Sequence, residues 1–108
     1  MFKELENALI SVTDNVGHYK QHKQKNPYIV WAEDGSGDTS WADGRMQEQA
    51  IEGTIDYFTK MQNDPNFNEI QNALNDKGIS FRLESIQYED DTKLIHYEWV
   101  FSIPNTEA

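Results

Sequence analysis

The fold is decided by one stretch near the end of the chain, Ile95-His96-Tyr97-Glu98-Trp99-Val100-Phe101-Ser102-Ile103. Every second residue in it is large and apolar, and the residues between are mostly polar. A period of two is typical of a strand with one buried face and one wet face. The preceding segment, Ile79 to Tyr88, has the character of a partner strand, and the polar turn Glu89-Asp90-Asp91-Thr92 lies between the two. The sequence therefore predicts a long antiparallel hairpin with one aromatic face.

The first strand of this hairpin changes parity along its length. Its apolar residues first occupy odd-numbered positions, Ile79, Phe81 and Leu83, and then even-numbered ones, Ile86 and Tyr88. One extra residue in a strand produces such a switch, because it shifts every later side chain to the opposite face. The pattern therefore predicts a β-bulge near Glu84-Ser85.

Two amphipathic helices are predicted. The first runs from Phe2 to about Asn15, with Gly17 as its C-terminal cap, on an apolar stripe of Phe2, Leu5, Leu9, Val12 and Val16. The second carries Phe67, Ile70, Ala73 and Leu74. Asp64 is expected as its N-cap, Pro65 as its first helical residue and Gly78 as its C-terminal cap.

Two further strands lie between the helices. Pro27 begins the first, Tyr28 to Ala32, and a long loop from Glu33 to Gly44 follows it. The second runs from about Gln47 to Lys60, with Gly53 marking a bulge or a close backbone approach. The order α-β-β-α-β-β predicts an α+β fold in a single domain, 1–108. Its four-stranded, mainly antiparallel (mixed) sheet is covered by two helices on one face, and the other face stays partly apolar for a partner.

Composition excludes several classes of function. The chain has 19 acidic residues against 9 lysines and arginines, a formal net charge of −10, so it should repel nucleic acid and anionic membranes. It contains no cysteine, which excludes disulfides and thiol chemistry. No apolar run approaches the roughly 18–20 residues that span a bilayer, and the N-terminus lacks a secretory signal pattern. Specific nucleic-acid binding and membrane insertion are therefore not expected.

No motif for catalysis or for a cofactor is present. No serine lies in a Gly-x-Ser-x-Gly elbow, and Gly35-Ser36-Gly37 is too short for a phosphate loop. Counted from Asp34, an EF-hand loop would need Gly and Glu where Thr39 and Arg45 stand. Three other candidate sites are each a weaker interpretation than ordinary solvated side chains. They are a looser divalent site of Asp34, Asp38 and Asp43, a metal shared by His18 and His22, and a general base at His96. We expect no enzyme, no metal and no cofactor.

Two segments are candidate interfaces. One is the acidic loop with Asp34, Asp38, Asp43, the adjacent Arg45, and Trp41, a residue type enriched at binding hot spots. The other is the basic cluster Lys20, Lys23 and Lys25, which is either a solvated loop or a docking site for an acidic surface such as a neighbouring copy of the chain.

The chain resembles the tail terminator (tail completion) proteins of long-tailed phages, such as the lambda tail terminator, over roughly Phe2 to Ile103. The resemblance is one of pattern and order. Besides the opening amphipathic helix and the closing hairpin, it rests on the strings Asn26-Pro27-Tyr28-Ile29-Val30-Trp31 and Gln47-Glu48-Gln49-Ala50-Ile51-Glu52-Gly53-Thr54-Ile55-Asp56-Tyr57-Phe58-Thr59-Lys60.

This resemblance implies a structural virion protein of a phage or prophage, without a cofactor. Such a protein assembles in the host cytoplasm into a ring, commonly a hexamer, at the end of the tail tube, and takes part in head-tail joining with tail tube and head-completion proteins. The loop from Glu33 to Arg45 is then expected to reach the ring lumen, neighbouring subunits or the tube, where its acidity would keep passing DNA from sticking.

Two other classes of function remain open. Acidity, aromatic content and small size also fit an inhibitor of the immunity type that binds a basic toxin or enzyme, because opposite charge speeds association. A metal-assisted hydrolase depends on loose carboxylates alone. Self-association would indicate the ring-forming virion protein, whereas a salt-sensitive complex with a cationic partner would indicate the inhibitor.

Overall fold

The computed structural model describes residues 2–21, 25–42 and 45–104, and the side chains of residues 37–42 and 45–49 lie outside that description. The elements are α1 (Lys3–Ile10), β1 (Val16–His18), β2 (Tyr28–Ala42), β3 (Arg45–Thr59), α2 (Asn66–Asp76), β4 (Ser80–Glu89) and β5 (Leu94–Pro104). They form a five-stranded mixed sheet in the order β1-β2-β3-β5-β4. The α+β class is confirmed, but the predicted four strands in the order α-β-β-α-β-β omit β1.

The missing strand arises because α1 is shorter than predicted. It ends at Ile10, not near Asn15, and the Ser11 hydroxyl donates to the carbonyl of Ala8 at 2.6 Å. The next residues are Val-Thr-Asp-Asn, poor helix formers by β-branching or by competition for backbone hydrogen bonds. The Asn15 amide donates to the carbonyls of Lys25 and Pro27, so the chain runs extended and β1 pairs with β2 in parallel.

Gly17 therefore lies within β1 and is not a helix cap. A Cβ there would collide with the carbonyl oxygen of Lys20 and would approach the Cα of Gln21 to 2.9 Å, so only glycine lets the chain fold back over the strand.

Helices and sheet enclose one hydrophobic core. Both helices lie on the same face of the sheet, called here the covered face. The buried residues of the core are Leu5, Ala8 and Leu9 of α1, Ile70 and Leu74 of α2, Ile79 before β4, and Ile29, Trp31, Ile55, Tyr57, Tyr97, Trp99, Phe101 and Ile103 of the strands. The indole N–H of Trp99 donates to Gln71 Oε1 at 3.0 Å, which joins the centre of the sheet to α2. Neither α1 nor α2, the helices of the described ranges, is long and apolar enough to cross a membrane.

The predicted loop from Glu33 to Gly44 is wrong for the residues that the structure describes. β2 continues to Ala42 and pairs with β3 as far as Arg45, with irregularities between Glu33 and Gly35, Ser36 and Thr39, and Ser40 and Trp41. Three glycines and four carboxylates indicate a loop by composition, yet backbone pairing to β3 outweighs that local preference.

This hairpin extends beyond the sheet. The last described pair between β3 and β5 is Ala50–Pro104. Past it, residues 37–42 of β2 and 45–49 of β3 continue together, and we call these two segments the arm. The arm contributes to the elongated shape of the molecule, which measures 52 × 25 × 24 Å.

The close approach predicted at Gly53 is confirmed. A Cβ on Gly53 would collide with the carbonyl of Ala32 and would lie 2.7 Å from Glu33 Cα and from the ring of Phe101. The irregularity itself is on β2, at Asp34, which is the extra residue opposite the Glu52–Gly53 step.

The predicted start of α2 is one residue too early. The helix begins at Asn66 with Pro65 at the N-cap position, so Asp64 is not the N-cap and Pro65 is not the first helical residue. Asp64 Oδ1 nevertheless accepts a hydrogen bond from the N–H of Asn66 at 2.9 Å. The other predicted turning points are confirmed. Gly78 has φ +69° and ends α2. β4 carries a bulge between Leu83 and Ser85, where the parity switch predicted it.

Candidate assembly surfaces

The two ends of the sheet differ in charge. From Glu33 to Gln49 the sequence, which includes the arm, holds five acidic residues and one basic residue. The opposite end, where β2 and β5 begin and β3 ends, has an open depression of about 440 Å³ lined by Lys25, Asn26, Tyr28, Lys60, Thr92 and Leu94. The segment that includes the arm is therefore strongly acidic in sequence, and at the far end of the sheet two lysines border a concave site.

The depression is held together by contacts across the sheet end. The backbone N–H of Lys60 donates to Asn26 Oδ1 at 3.3 Å, which joins the end of β3 to the segment before β2. Tyr28 stacks on Phe58 with ring centroids 4.7 Å apart and forms one wall. The positive charge is local, because the adjacent turn carries Glu89, Asp90 and Asp91.

The predicted interface residues have different outcomes. Asp34 is exposed at the base of the arm, and Lys20 and Lys25 are both exposed. The side chains of Trp41, Asp38, Asp43, Arg45 and Lys23 lie outside the described residues. Lys25 meets Lys60 at the depression, a lysine that sequence reasoning missed because 35 positions separate the two.

The sheet face opposite the helices is called here the open face. Neither α1 nor α2 covers it, and its central side chains are half-buried. It carries Val30 and Ala32 of β2, Thr54, Asp56 and Phe58 of β3, and His96, Glu98 and Val100 of β5. Apolar and charged groups alternate on it, so the face is not a continuous apolar patch.

The strongest polar contact on the open face is made by His96. Its Nε2 lies 2.6 Å from Asp56 Oδ1, its Nδ1 lies 3.4 Å from Glu89 Oε2, and the ring stacks on Phe58 at 4.3 Å. The hydrogen bond to Asp56 raises the pKa of His96 above its ordinary 6.5, against the opposing effect of burial. The sequence showed His96 on the polar face but could not name its partners, which lie on other strands.

His96 makes the contacts of a structural ion pair, because both of its ring nitrogens face carboxylates. The cluster of Asp56, His96 and Glu89 joins β3, β5 and β4 across the open face.

A second histidine lies at the short edge of the sheet. His18 of β1 stacks between Trp31 at 3.8 Å and Tyr19 at 4.3 Å, and its Nε2 lies 2.6 Å from Glu33 Oε1. Burial raises the pKa of Glu33, but the hydrogen bonds from His18, from the backbone and from Tyr19 together outweigh it, and the net shift is downward. His18 is thus held by an aromatic stack and a carboxylate, and His22 lies outside the described residues.

Within residues 2–21, 25–42 and 45–104, no group of three or more histidines, aspartates or glutamates is arranged to hold a metal ion. Of the carboxylates considered for a divalent site, Asp34 is exposed at the surface.

The long edge of the sheet is β4, and it exposes apolar side chains. Leu83, Ile86 and Tyr88 are 41%, 54% and 59% exposed and project on the side of the helices, beyond the cover that α2 provides. An open strand edge with apolar side chains is a ready site for pairing with another chain. Composition counts such residues as core, so sequence reasoning did not mark them as surface.

No model of a protein family matches the chain, and no curated protein sequence does.

Proposed function

We propose that the chain is a non-catalytic structural subunit of a phage or prophage virion, of the tail terminator (tail completion) type. It assembles with copies of itself into a ring, a hexamer in the commonest form, at the end of the tail tube and takes part in head-tail joining. The observation that carries the proposal is the arm, a two-stranded projection with an acidic sequence, at the opposite end of the sheet from a depression with two lysines.

An acidic arm sequence at one end of the subunit and the local positive charge of Lys25 and Lys60 at the other favour head-to-tail contact. A heterologous contact between different surfaces generates a ring when the rotation between neighbours closes. The arm of one subunit has the reach and the charge to meet the depression bordered by Lys25 and Lys60 on the next. This contact needs no cofactor, and it leaves the open face of the sheet and the outer surfaces of the two helices free for the tail tube and for head-completion proteins.

The net charge of −10 also fits a position around a DNA channel. An acidic lumen repels the phosphate backbone, so DNA passes without adhering to the wall. The proposal accordingly includes no specific nucleic-acid binding and no membrane association, and it locates the chain in the virion tail after assembly in the host cytoplasm.

The experiment combines light scattering, electron microscopy and binding to purified tail tubes. We expect rings at high protein concentration or on tube ends, and capped tubes that no longer elongate. Particles no larger than dimers, together with tubes that stay uncapped, would contradict the proposal.

A matched pair of charge reversals tests the head-to-tail contact. Lys60→Glu reverses a charge at the depression, and Lys3→Glu makes the same change in net charge at an exposed site on α1. Lys60→Glu should reduce ring assembly at least about tenfold in required concentration, whereas Lys3→Glu should leave it unchanged. Added salt should weaken the contact.

An inhibitor of a basic toxin or enzyme is the second candidate. It is favoured by the carboxylates of the open face, where Asp56, Glu89 and Glu98 surround a half-buried aromatic surface. An inhibitor would bind a cationic protein one to one with strong salt dependence and would leave tail tubes uncapped. Glu98→Lys should weaken such a complex and have no effect on ring assembly.

A further inference from the structure

The edge strand β4 has the layout of a surface that pairs with itself. It is ten residues long and forms the end of the sheet, with β5 on its inner side. Natural edge strands are usually short, or are protected against pairing with other chains by charged residues, proline or bulges. β4 has no lysine or proline. It carries Arg82, Glu84, Glu89 and one bulge, yet three large apolar side chains on it are 41–59% exposed.

The bulge makes β4 symmetric about its own centre. Phe81 and Leu83 pair with Phe101 and Trp99 of β5 and therefore lie on the covered face. After the bulge, Ile86 and Tyr88 pair with Tyr97 and Ile95 and lie on that same face. In a regular strand the two pairs would fall on opposite faces, because they differ in parity. With the bulge, a two-fold rotation about an axis between Glu84 and Ser85 brings each of these apolar residues to the position of another apolar residue on the same face.

We propose that two copies of the chain associate through β4, antiparallel, about a two-fold axis that passes between Glu84 and Ser85. In this register Phe81 lies opposite Tyr88 of the partner subunit, and Leu83 lies opposite Ile86 of the partner subunit. Each pair occurs twice, as a two-fold interface requires. The backbone groups at the free edge of β4 then form a ladder, and the two five-stranded sheets become continuous.

The charges on the strand are compatible with the same register. The two copies of Glu84 lie near the axis, where they would repel each other, but each is 3.9 Å from Arg82 Nε of its own chain. Arg82 and Gln87 are directly opposite each other on the open face, and Glu89 of the partner subunit is the diagonal neighbour of Arg82. Diagonal neighbours in an antiparallel pair are about 7–8 Å apart, within reach of an arginine side chain. The chain that pairs with β4 is therefore a second copy, because β4 of one copy presents apolar and charged residues that match those of the other.

This dimer is distinct from the proposed ring contact and does not depend on it. The ring contact uses the arm and the depression, whereas the dimer uses the edge formed by β4. The two also respond differently to salt. Salt should weaken a contact between opposite charges, but it should strengthen a largely apolar contact between two chains that each carry a charge of −10, because it screens their mutual repulsion.

The register is tested by cysteine cross-linking in the full chain, which has no cysteine of its own. Leu83→Cys and Ile86→Cys are prepared separately, one with a mass tag, and are oxidised alone and mixed. Directly opposed side chains approach within disulfide distance, and diagonal ones do not. We expect the mixture to form cross-linked heterodimers at least about tenfold faster than either variant alone forms homodimers.

The association itself is tested by sedimentation equilibrium. At high salt, which weakens the proposed ring contact and favours the β4 dimer, the chain should pass from 12.6 kDa to twice that mass as its concentration rises. Ile86→Lys should raise the dissociation constant on the order of a hundredfold, because each lost apolar contact costs about tenfold and the dimer contains two. Met61→Lys is the matched control, since Met61 is 57% exposed outside β4 and its replacement should leave the dimer unchanged.

Several results would overturn the proposal. These are a monomer at every concentration and salt, a dimer that Ile86→Lys does not weaken, or cross-linking no faster in the mixture than in the single variants. Circular dichroism checks that Ile86→Lys remains folded. If it unfolds, the cross-linking rates decide the matter, because the cysteine replacements are small and lie at exposed positions.

Discussion

The covered and open faces of the sheet are built from the same strands but are stabilised in different ways. On β5, Trp99 and Phe101 are fully buried under the helices, whereas their neighbours Glu98 and Val100 remain half-buried on the open face. Stability on the covered face comes from burial of large apolar surface. On the open face, polar groups pair across strands, with His96 and Asp56 as the closest contact.

The difference shows how one alternating sequence produces both a core and a surface. Alternation assigns side chains to two faces, and the helices then cover one of them. The covered face should tolerate changes in volume poorly, because interiors are close-packed. The open face should respond to pH and to charge, with smaller changes in stability.

The largest expected effect is at the centre of the covered face. Trp99→Ala should lower the free energy of unfolding by about 3–5 kcal/mol, because it removes the largest fully buried side chain and the hydrogen bond to Gln71. Val100→Ala, on the open face of the same strand, should cost about 1 kcal/mol. Urea unfolding measures both. Equal losses in the two variants would contradict the distinction between the faces.

A second effect is expected at Gly53, where the absence of a side chain lets neighbouring atoms pack closely. Gly53→Ala should lower the free energy of unfolding by about 1–3 kcal/mol, because the new Cβ would press against the Ala32 carbonyl and the Phe101 ring. Gly35→Ala is the matched control, since an added Cβ there meets no atom within 4 Å among the described residues. Thermal unfolding of both variants tests this, and the comparison fails if Gly35→Ala is as unstable as Gly53→Ala.

A smaller loss of stability is expected at the buried hydrogen-bond network of the covered face. The Tyr57 hydroxyl donates to Asp64 Oδ2 at 2.6 Å and accepts from Asn66 Nδ2 at 3.0 Å. Burial, then the hydrogen bond to Asp64, raises the pKa of Tyr57, so it stays protonated as a donor. Tyr57→Phe should cost about 1–2 kcal/mol, because the carboxylate of Asp64 loses a buried partner. Urea unfolding at neutral pH measures the loss, and an unchanged midpoint would argue against the hydrogen bond.

The same network predicts a dependence on acid. Burial raises the pKa of Asp64, but the hydrogen bonds from Tyr57 and from the N–H of Asn66 outweigh it and the net shift is downward. A group whose folded pKa is lowered contributes stability above its ordinary value of 3.8, and this is lost as pH falls through the folded pKa. Asp64→Asn should therefore flatten the decline in stability below about pH 4. A decline as steep as in the unmodified chain would contradict this role.

The smallest effect belongs to the open face and appears in the pH profile. Because the pKa of His96 is raised in the folded chain, its stabilising contribution is complete below its ordinary value of 6.5 and is lost as pH rises through the folded pKa. His96→Gln should remove that part of the pH dependence and converge with the unmodified chain at high pH. Denaturation midpoints from pH 5 to 9 test this, and parallel profiles for the two proteins would contradict it.

Local sequence signals were sufficient where the physics is local. The alternation from Ile95 to Ile103 predicted β5 and its buried face, the parity switch predicted the bulge in β4, and Gly78 predicted the end of α2. Each of these depends on the conformational preference or periodicity of a few consecutive residues. The predicted extent of α1 failed for a non-local reason, since Asn15 is held by carbonyls ten and twelve positions away.

The sequence by itself determined the α+β class, the covered face of the sheet and the acidic character of the chain. Tertiary structure alone decided that residues after Glu33 continue as a strand, that Lys60 joins Lys25, and that Asp56 and Glu89 meet His96. It also decided that Leu83, Ile86 and Tyr88 lie at an open edge instead of in the core. The physical reason is that periodicity fixes which face a side chain occupies, whereas its neighbours depend on strand order and register, which arise from contacts between distant residues.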